Sequence, residues 1–385
     1  MAERERIIPD SDFIRSVRKA GGDTLKKCYQ CATCSVVCKL SENDSPFPRK
    51  EMVWAQWGLK DKLVADPNVW ACHQCNDCTI HCPRGARPGD VLAGIRSYTF
   101  ENFSFPKFMG KALASPAALP VLFLVPIAIL IVLIMTTAPT TTNGEFLFLQ
   151  SGQPIDFNIF LPHTSVDVFF VIGNIFIFMF AAIGFSRFWK KLKSSNTTDN
   201  ISFIKSLTLT IKEILTHSKF NKCETNKPRA VAHYMVLGGF LADMAATGLA
   251  FVIIFIPHYI NLHPFWWPPL DLPNPIKILG ALGGVLILLG SGIMLYRRWT
   301  NRDEVGANGY QDYLFLYVLF FTGLSGMLAW LTRWLLGVPM TAYIIYFIHI
   351  VFVYFLLWYM PYSKFAHMFY RTMALIYING GGRRK

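Results

Sequence analysis

Cys28-x2-Cys31-x2-Cys34-x3-Cys38 and Cys72-x2-Cys75-x2-Cys78-x3-Cys82 repeat one spacing and use eight of the chain's nine cysteines. Each array offers four thiolates, the number that a [4Fe–4S] cluster takes. Three cysteines separated by two residues sit on one tight loop, so their sulfurs converge on one cubane. Zinc fits less well: its sites usually pair two cysteines with two further ligands, and eight sulfurs in two such runs exceed that need. A disulfide framework needs an oxidising compartment, and no cleavable leader is expected at the start of the chain. His73 and His81 fall inside the second array and read as polar neighbours of a cluster. Cys223 has no partner in the pattern and reads as an ordinary thiol.

The spacing is that of bacterial-type ferredoxins, with Pro83 after the second array and Lys39 in the matching place after the first. In two-cluster ferredoxins the fourth cysteine of each run ligates the other cluster. One cluster is therefore expected on Cys28, Cys31, Cys34 and Cys82, the second on Cys72, Cys75, Cys78 and Cys38.

The elements that must hold these loops read as helices. Met52, Val53, Trp54, Trp57 and Leu59 lie between the arrays without strand-like alternation, after a turn at Asp44, Ser45 and Pro46. The expected first unit, residues 1–97, is an α-helical two-[4Fe–4S] ferredoxin-like domain. Residues 98–116, rich in phenylalanine, form a linker to the membrane. Residues 117–385 form a six-helix transmembrane bundle, so the fold class is all-α.

The chain has 385 residues, 53% of them hydrophobic, and a mean hydropathy of +0.35. Stretches near 117–135, 166–185, 233–256, 276–296, 313–331 and 342–360 are long enough to span a bilayer. Pro120 and Pro126 interrupt the first, which neighbouring helices accommodate. Loops 136–165 and 257–275 contain no Lys or Arg, whereas 186–230 carries ten. Arg297, Arg298 and Arg302 follow the fourth span, and the tail ends Arg383-Arg384-Lys385; Arg333 is a lone exception. Basic loops stay inside, so both termini and the cluster domain are expected in the cytoplasm, with the protein in the inner membrane. Topology and anionic lipid account for the net charge of +13, and no nucleic-acid partner is expected. Ile204, Leu207, Ile211 and Ile214 recur at helical spacing. That helix either lies on the membrane surface or docks on the cluster domain.

Polar residues inside apolar spans are costly and mark function. His349 and His367 are 18 residues apart, five turns of one helix and ~27 Å in height, which suits two haems stacked across a membrane. Pro361 lies between them, where it can kink the helix. His233, at the start of the third span, matches the depth of His367, and the two form the expected haem b pair. Gly238, Gly239 and Gly248 on that span would let a macrocycle approach. An outer haem on His349 would take His163 or His258 as its partner, or remain five-coordinate. His217 reads as a solvated loop residue. Asp243 either carries protons for a quinone or pairs in a helix contact. Lys364 and Arg371 are candidates for a quinone or a haem propionate, with lipid contact as their other use.

The cysteine-array part resembles the C subunit of heterodisulfide reductase. The membrane part is similar to the cytochrome b subunits of heterodisulfide reductase and of respiratory nitrate reductase, most clearly over Pro361-Tyr-Ser-Lys-Phe-Ala-His367-Met-Phe. Their fusion resembles the C subunit of the quinone-interacting membrane-bound oxidoreductase complexes. That resemblance implies two [4Fe–4S] clusters, one or two haem b groups and menaquinone. It also implies cytoplasmic partners similar to the flavin and iron–sulfur A subunit of heterodisulfide reductase, with adenylylsulfate reductase beyond them. The family places two histidines in each of two helices; here the third span has His233, with Asp243 near the second position. Disulfide-cleaving CCG motifs are absent from the chain. Two other functions remain open: a quinol-dependent component of a heterodisulfide- or sulfite-type reductase, and a haem-free membrane redox sensor.

Overall fold

Both cysteine arrays bend the backbone in the same way. Gln30 and Ala32 flank the second cysteine of the first array with φ of 62° and 69°, and Gln74 and Asn76 flank that of the second with 52° and 71°. Left-handed backbone at a non-glycine residue costs on the order of 1–3 kcal/mol and collects at functional loops. Each loop then enters a short helix, Thr33–Val37 or Asp77–Ile80, whose first turn carries Cys34 or Cys78. Cys38 and Cys82 follow just beyond those helices. The two short helices pack on each other, which brings the end of each array beside the start of the other.

The computed structural model describes residues 8–382 except 151–153, 195–201, 224–226, 265, 267–269, 271, 302–304, 307–308 and 334–337. Arg302 and the Arg383-Arg384-Lys385 tail, both read as basic above, lie outside the described residues. Among the described residues the fold is helical, with two isolated β-bridges and no strand. Around the arrays run helices Ser11–Lys19, Arg49–Gln56, Lys60–Val64, Asn68–Ala71 and the long Pro88–Phe103. Phe13, Val17, Met52, Leu63, Leu92 and Ile95 are buried in their common core. Residues 98–103, read as linker, complete the last of these helices, and Lys107–Ala114 leads on to the membrane.

Among the described residues, six helices are long and apolar enough to cross a bilayer: Pro116–Thr137, His163–Ser194, Lys227–Tyr259, Pro275–Thr300, Tyr310–Leu331 and Pro339–Trp358. The third and fourth are in close backbone contact. A Cβ at Gly239 would meet Gly283 O at 2.8 Å, and one at Gly290 would meet Ala232 O at 2.7 Å. Small residues at such a seam let helices approach where lipid supplies no hydrophobic drive. Of the glycines expected to admit a macrocycle, Gly239 is taken up by contact with the fourth span, Gly238 meets only Leu286 Cδ1 at 3.9 Å, and Gly248 faces open space.

A second expectation is corrected at the sixth span. His349 and His367 do not share a helix. The span stops at Trp358, two 3₁₀ turns cover Met360–Tyr362 and Lys364–Ala366, and a new helix runs His367–Tyr377. Pro361 lacks the amide a continuous helix requires, so the five-turn argument for a common face does not hold.

The connector helix Phe203–Thr216 docks on this C-terminal helix and the turn after it. Ser206 and Thr210 form its buried side, and Asn379 Nδ2 donates to Thr210 Oγ1 at 2.9 Å. Phe203, Ile204, Leu209, Ile211 and Leu215 face outward, as a helix lying in a membrane interface requires. At the opposite end of the bundle, Arg333 Nε donates to Ile155 O at 3.2 Å. That contact gives the lone cation of the poorly charged loops a local partner.

Glu51 is fully buried in the array part, with Lys50 Nζ 3.6 Å from it and 3.3 Å from Asp66. Burial first, and the Asp66 carboxylate second, push its pKa well above 4.5. The unfolded chain therefore releases this proton first as pH rises. The contribution is full below the unfolded value of 4.5 and drains away as pH climbs through the raised folded value. Glu51→Gln in detergent should raise the melting temperature above the parent's at about pH 9 and leave it nearly unchanged at about pH 4.5. Equal gains at the two pH values would contradict this.

Candidate redox-cofactor site

The cysteines fall into two electrostatic groups. Burial and then the charges of Cys28, Cys31 and Cys82 push the Cys34 thiol up to about 11. Burial, opposed by a backbone hydrogen bond, acts likewise on Cys38 with Cys72 and Cys75, to about 11. Cys78 is raised by burial and by Cys72, Cys75 and Cys38. Cys82 thus stands with the first three cysteines, and Cys38 with the later three. Buried thiols such as Cys34, Cys38 and Cys78 resist ionisation alone, and a bound cation reverses that balance by taking them as thiolates. The first group opens to solvent at Cys31, while the second lies toward the membrane bundle.

The second array meets three segments of the membrane part. Arg229 Nη1, at the start of the third span, donates to the carbonyls of His73 and Gln74 at 3.0 and 2.8 Å. Arg371, on the C-terminal helix, donates to Cys72 O at 3.3 Å, Ala71 O at 3.4 Å and His73 Nε2 at 2.7 Å. The loop between the fourth and fifth spans arrives at Gly306, whose left-handed backbone (φ +87°) lies against Asn76 and Asp90. Trp70 fastens the same place, stacked on Tyr370 at 5.4 Å and edge-on to Phe188 at 5.4 Å.

Inside that junction lies a cavity of about 270 Å³ that touches Cys72, His73, His217, His233 and His367. Its size is near the lower end of small-molecule pockets, about 300–1,000 Å³. Phe240 and Phe315 stack on Phe365 to form one wall. Six cations line it (Arg96, Lys219, Arg229, Arg298, Lys364 and Arg371) against two carboxylates, Glu213 and Asp312. Lys219 pairs with Glu213 at 2.9 Å and Lys364 with Asp312. An apolar cavity with this surplus of positive charge at its rim suits a flat, greasy ligand with anionic groups.

Both expected histidines use one ring nitrogen for positioning. His367 Nδ1–H donates to Lys364 O at 2.6 Å; a carbonyl only accepts, so the tautomer is fixed and Nε2 keeps its lone pair. Burial draws the His367 pKa down to about 4, which holds the ring neutral. His233 Nδ1 shares a proton with His217 Nε2 at 2.8 Å. In the form where His233 donates, its Nε2 is likewise available. Two neutral imidazoles with Nδ1 occupied on one apolar cavity match the donor set of a bis-histidine haem.

The other expected residues lie elsewhere. His349 Nδ1–H donates to Thr322 O at 3.1 Å and is 3.2 Å from Ser325 Oγ, with its ring against Gly326. His163 heads the second span, its ring 5.6 Å from Phe255. These two histidines have different neighbours. Asp243 points at Gly283 of the fourth span, where a Cβ would meet Asp243 Oδ1 and is excluded by it.

Three residues have more to do than their sequence context suggests. His217 is buried, not solvated, and lies against His233 with Tyr234 stacked at 3.9 Å. His73 stacks on Phe220 at 4.9 Å, and Phe220 is 5.8 Å from His233, so rings connect the second array to the histidine pair. Cys223 is buried beside Cys75. The available signal was that His217, Phe220 and Cys223 crowd seven residues just ahead of His233.

Residues 24–86 match the family described as 4Fe-4S dicluster domain, and residues 114–385 match the family described as Citrate utilization protein B. The Citrate utilization protein B of Escherichia coli is 24% identical over 98% of this chain and 96% of its own length. The array part is similar to the C subunit of the H(2):CoB-CoM heterodisulfide,ferredoxin reductase of Methanothermobacter marburgensis, 37% identical over 23% of this chain and 48% of that protein. The membrane part is similar to the E subunit of the dihydromethanophenazine:CoB–CoM heterodisulfide reductase of Methanosarcina acetivorans, 26% identical over 39% of this chain and 58% of that protein. The chain spans about half to three-fifths of the length of the heterodisulfide reductase relatives that its array part matches. No solved structure matches it.

Arg371 satisfies two carbonyls and one imidazole of the second array with a single planar fork. Arg371→Met should lower stability by on the order of 2–3 kcal/mol, because these acceptors are left in a dry junction. Arg371→Lys should restore only part, since a point charge cannot reproduce the fork. Thermal melts in detergent read both, and a parental melting temperature for the Met variant would contradict the assignment.

Proposed function

Because the chain belongs to the family described as Citrate utilization protein B, we propose that it is a quinone-linked electron-transfer subunit of the membrane. It carries two [4Fe–4S] clusters on residues 1–97 and haem b in residues 117–385, joined by residues 98–116. The observation that carries this reading is the shared cavity: Cys72, His233 and His367 line one apolar space with excess positive charge. Cys28, Cys31, Cys34 and Cys82 would hold one cluster, and Cys72, Cys75, Cys78 and Cys38 the other. His233 and His367 would hold the haem through Nε2. When bound, these groups supply one-electron carriers; the protein binds, orients and insulates them.

Each surrounding residue then has a task. His217 and the Lys364 carbonyl orient the two imidazoles, the task such partners perform at metal sites. Arg371 offers positive charge to propionates or to a quinone head, and Lys364, paired with Asp312, offers an N–H donor. The stacked rings of His73 and Phe220 keep water out between the array and His233. Asp243 is the candidate to move protons for a quinone from within the third span. The reading puts its first haem on His233 and His367; an outer haem on His349 has less support, because His349 packs against Gly326 while His163 lies beside Phe255.

The basic loops and both termini face the cytoplasm under this reading, against anionic lipid. Electrons pass between menaquinone and cytoplasmic flavin and iron–sulfur partners similar to the A subunit of heterodisulfide reductase. The fusion of the two parts favours the C subunit of a quinone-interacting membrane-bound oxidoreductase complex, serving adenylylsulfate reductase. Similarity to proteins named as C and E subunits of heterodisulfide reductases supports electron transfer in general. Capture of partners after gentle solubilisation distinguishes this complex from a heterodisulfide- or sulfite-type reductase.

Purified protein should contain about eight non-haem irons per chain and show b-type bands in a reduced-minus-oxidised spectrum. His367→Ala should abolish those bands and leave the non-haem iron intact. His217→Ala should weaken haem retention by about tenfold or more. Clusters without haem in the parent protein would leave the redox-sensor reading instead.

A further inference from the structure

Cys223 lies outside both arrays, 141 residues after Cys82, on the stretch between the connector helix and the third span. It is 3% exposed, and its N–H donates to Phe220 O at 3.1 Å to close the turn before it. A buried cysteine in an apolar setting is ordinarily a small hydrophobe. Cys223 belongs to the apolar core too, but a second sulfur and a carboxylate also reach it. The sulfurs of Cys75 and Cys223 and a carboxylate oxygen of Asp77 all lie within 4.8 Å of one another. Two sulfurs bonded to one metal at about 2.3 Å each are at most about 4.6 Å apart. Cys223 therefore stands at the edge of bonding reach of whatever metal Cys75 holds.

We propose that Cys223 is a reserve ligand of the second cluster, able to take over the iron that Cys75 binds. This rests on the reading of Cys75 as a cluster ligand. The exchange conserves charge and electrons: the iron–sulfur bond to Cys75 breaks, one to Cys223 forms, and the thiol proton of Cys223 ends on the Cys75 sulfur. No oxidant or reductant is needed. The second cluster then has five sulfurs for four iron sites, and the fifth is supplied by the membrane part. Arg229, six residues further on, holds the His73 and Gln74 carbonyls beside Cys75, which keeps the reserve sulfur in register.

The test is cluster content and electron paramagnetic resonance of ligand variants in the full chain. Cys75→Ala should retain about eight non-haem irons with an altered signal from one cluster. The double variant Cys75→Ala, Cys223→Ala should fall to about four. If Cys75→Ala alone falls to about four while the parent holds about eight, the reserve-ligand assignment is wrong and the cluster reading stands. A parent without clusters would instead overturn the proposed function. Should Cys75→Ala fail to fold, Cys223→Ala in the otherwise intact chain decides. Under an iron chelator it should lose half its iron several-fold faster than the parent. An unchanged rate would overturn the proposal.

Discussion

The junction depends on a few guanidinium groups that satisfy backbone carbonyls of the second cysteine loop. Arg229 and Arg371 come from the membrane part, and Arg96 from the helix after the arrays donates to Val69 O at 2.7 Å. A loop bent through left-handed residues exposes carbonyls that no helix or sheet can satisfy. Buried under a bundle, those groups would each be costly. Arginine meets several at once and also brings charge into an otherwise apolar place. One interaction thus satisfies the backbone of the loop and sets the electrostatics of the cavity beside it.

The cavity inherits its character from that arrangement. Its walls are the aromatic and aliphatic side chains that any helical junction needs. The cations at its rim are the groups that hold the loop. The histidines at its ends come from a span and from a helix that starts only after the sixth span has broken. Had the sixth span continued through Pro361, residue 367 would have run on along the span's own axis. The two 3₁₀ turns at 360–366 redirect the chain, and the Lys364 carbonyl released by that turn fixes the His367 tautomer.

The array part and the bundle share one apolar core. Trp70, Phe100, Phe188 and Tyr370 are mutually packed rings drawn from both. A shared core of this kind holds the second array and the histidine cavity together. The outward apolar face of helix 203–216 places a further flat surface at the same end of the bundle. That end therefore carries the arrays, the histidine cavity and an interfacial helix together.

The sequence by itself determined the identity of the chemistry-bearing groups and the class of the fold. Cysteine spacing is local and chemically narrow, and spans are set by length and hydropathy, so both are legible one segment at a time. The six spans and the helical arrays follow from that. His233 and His367 were legible as candidates because a histidine near an apolar span is rare. Tertiary structure alone decided which groups meet. In the sequence His217 reads as a solvated loop residue and Cys223 as an ordinary thiol; both are buried in the structure, His217 against His233 and Cys223 beside Cys75. Gly239 of the third span could serve a ligand or a neighbouring helix, and contact with the fourth span chose the helix. Such outcomes depend on pairs of residues far apart in the chain, and no periodicity or composition encodes the distance between them.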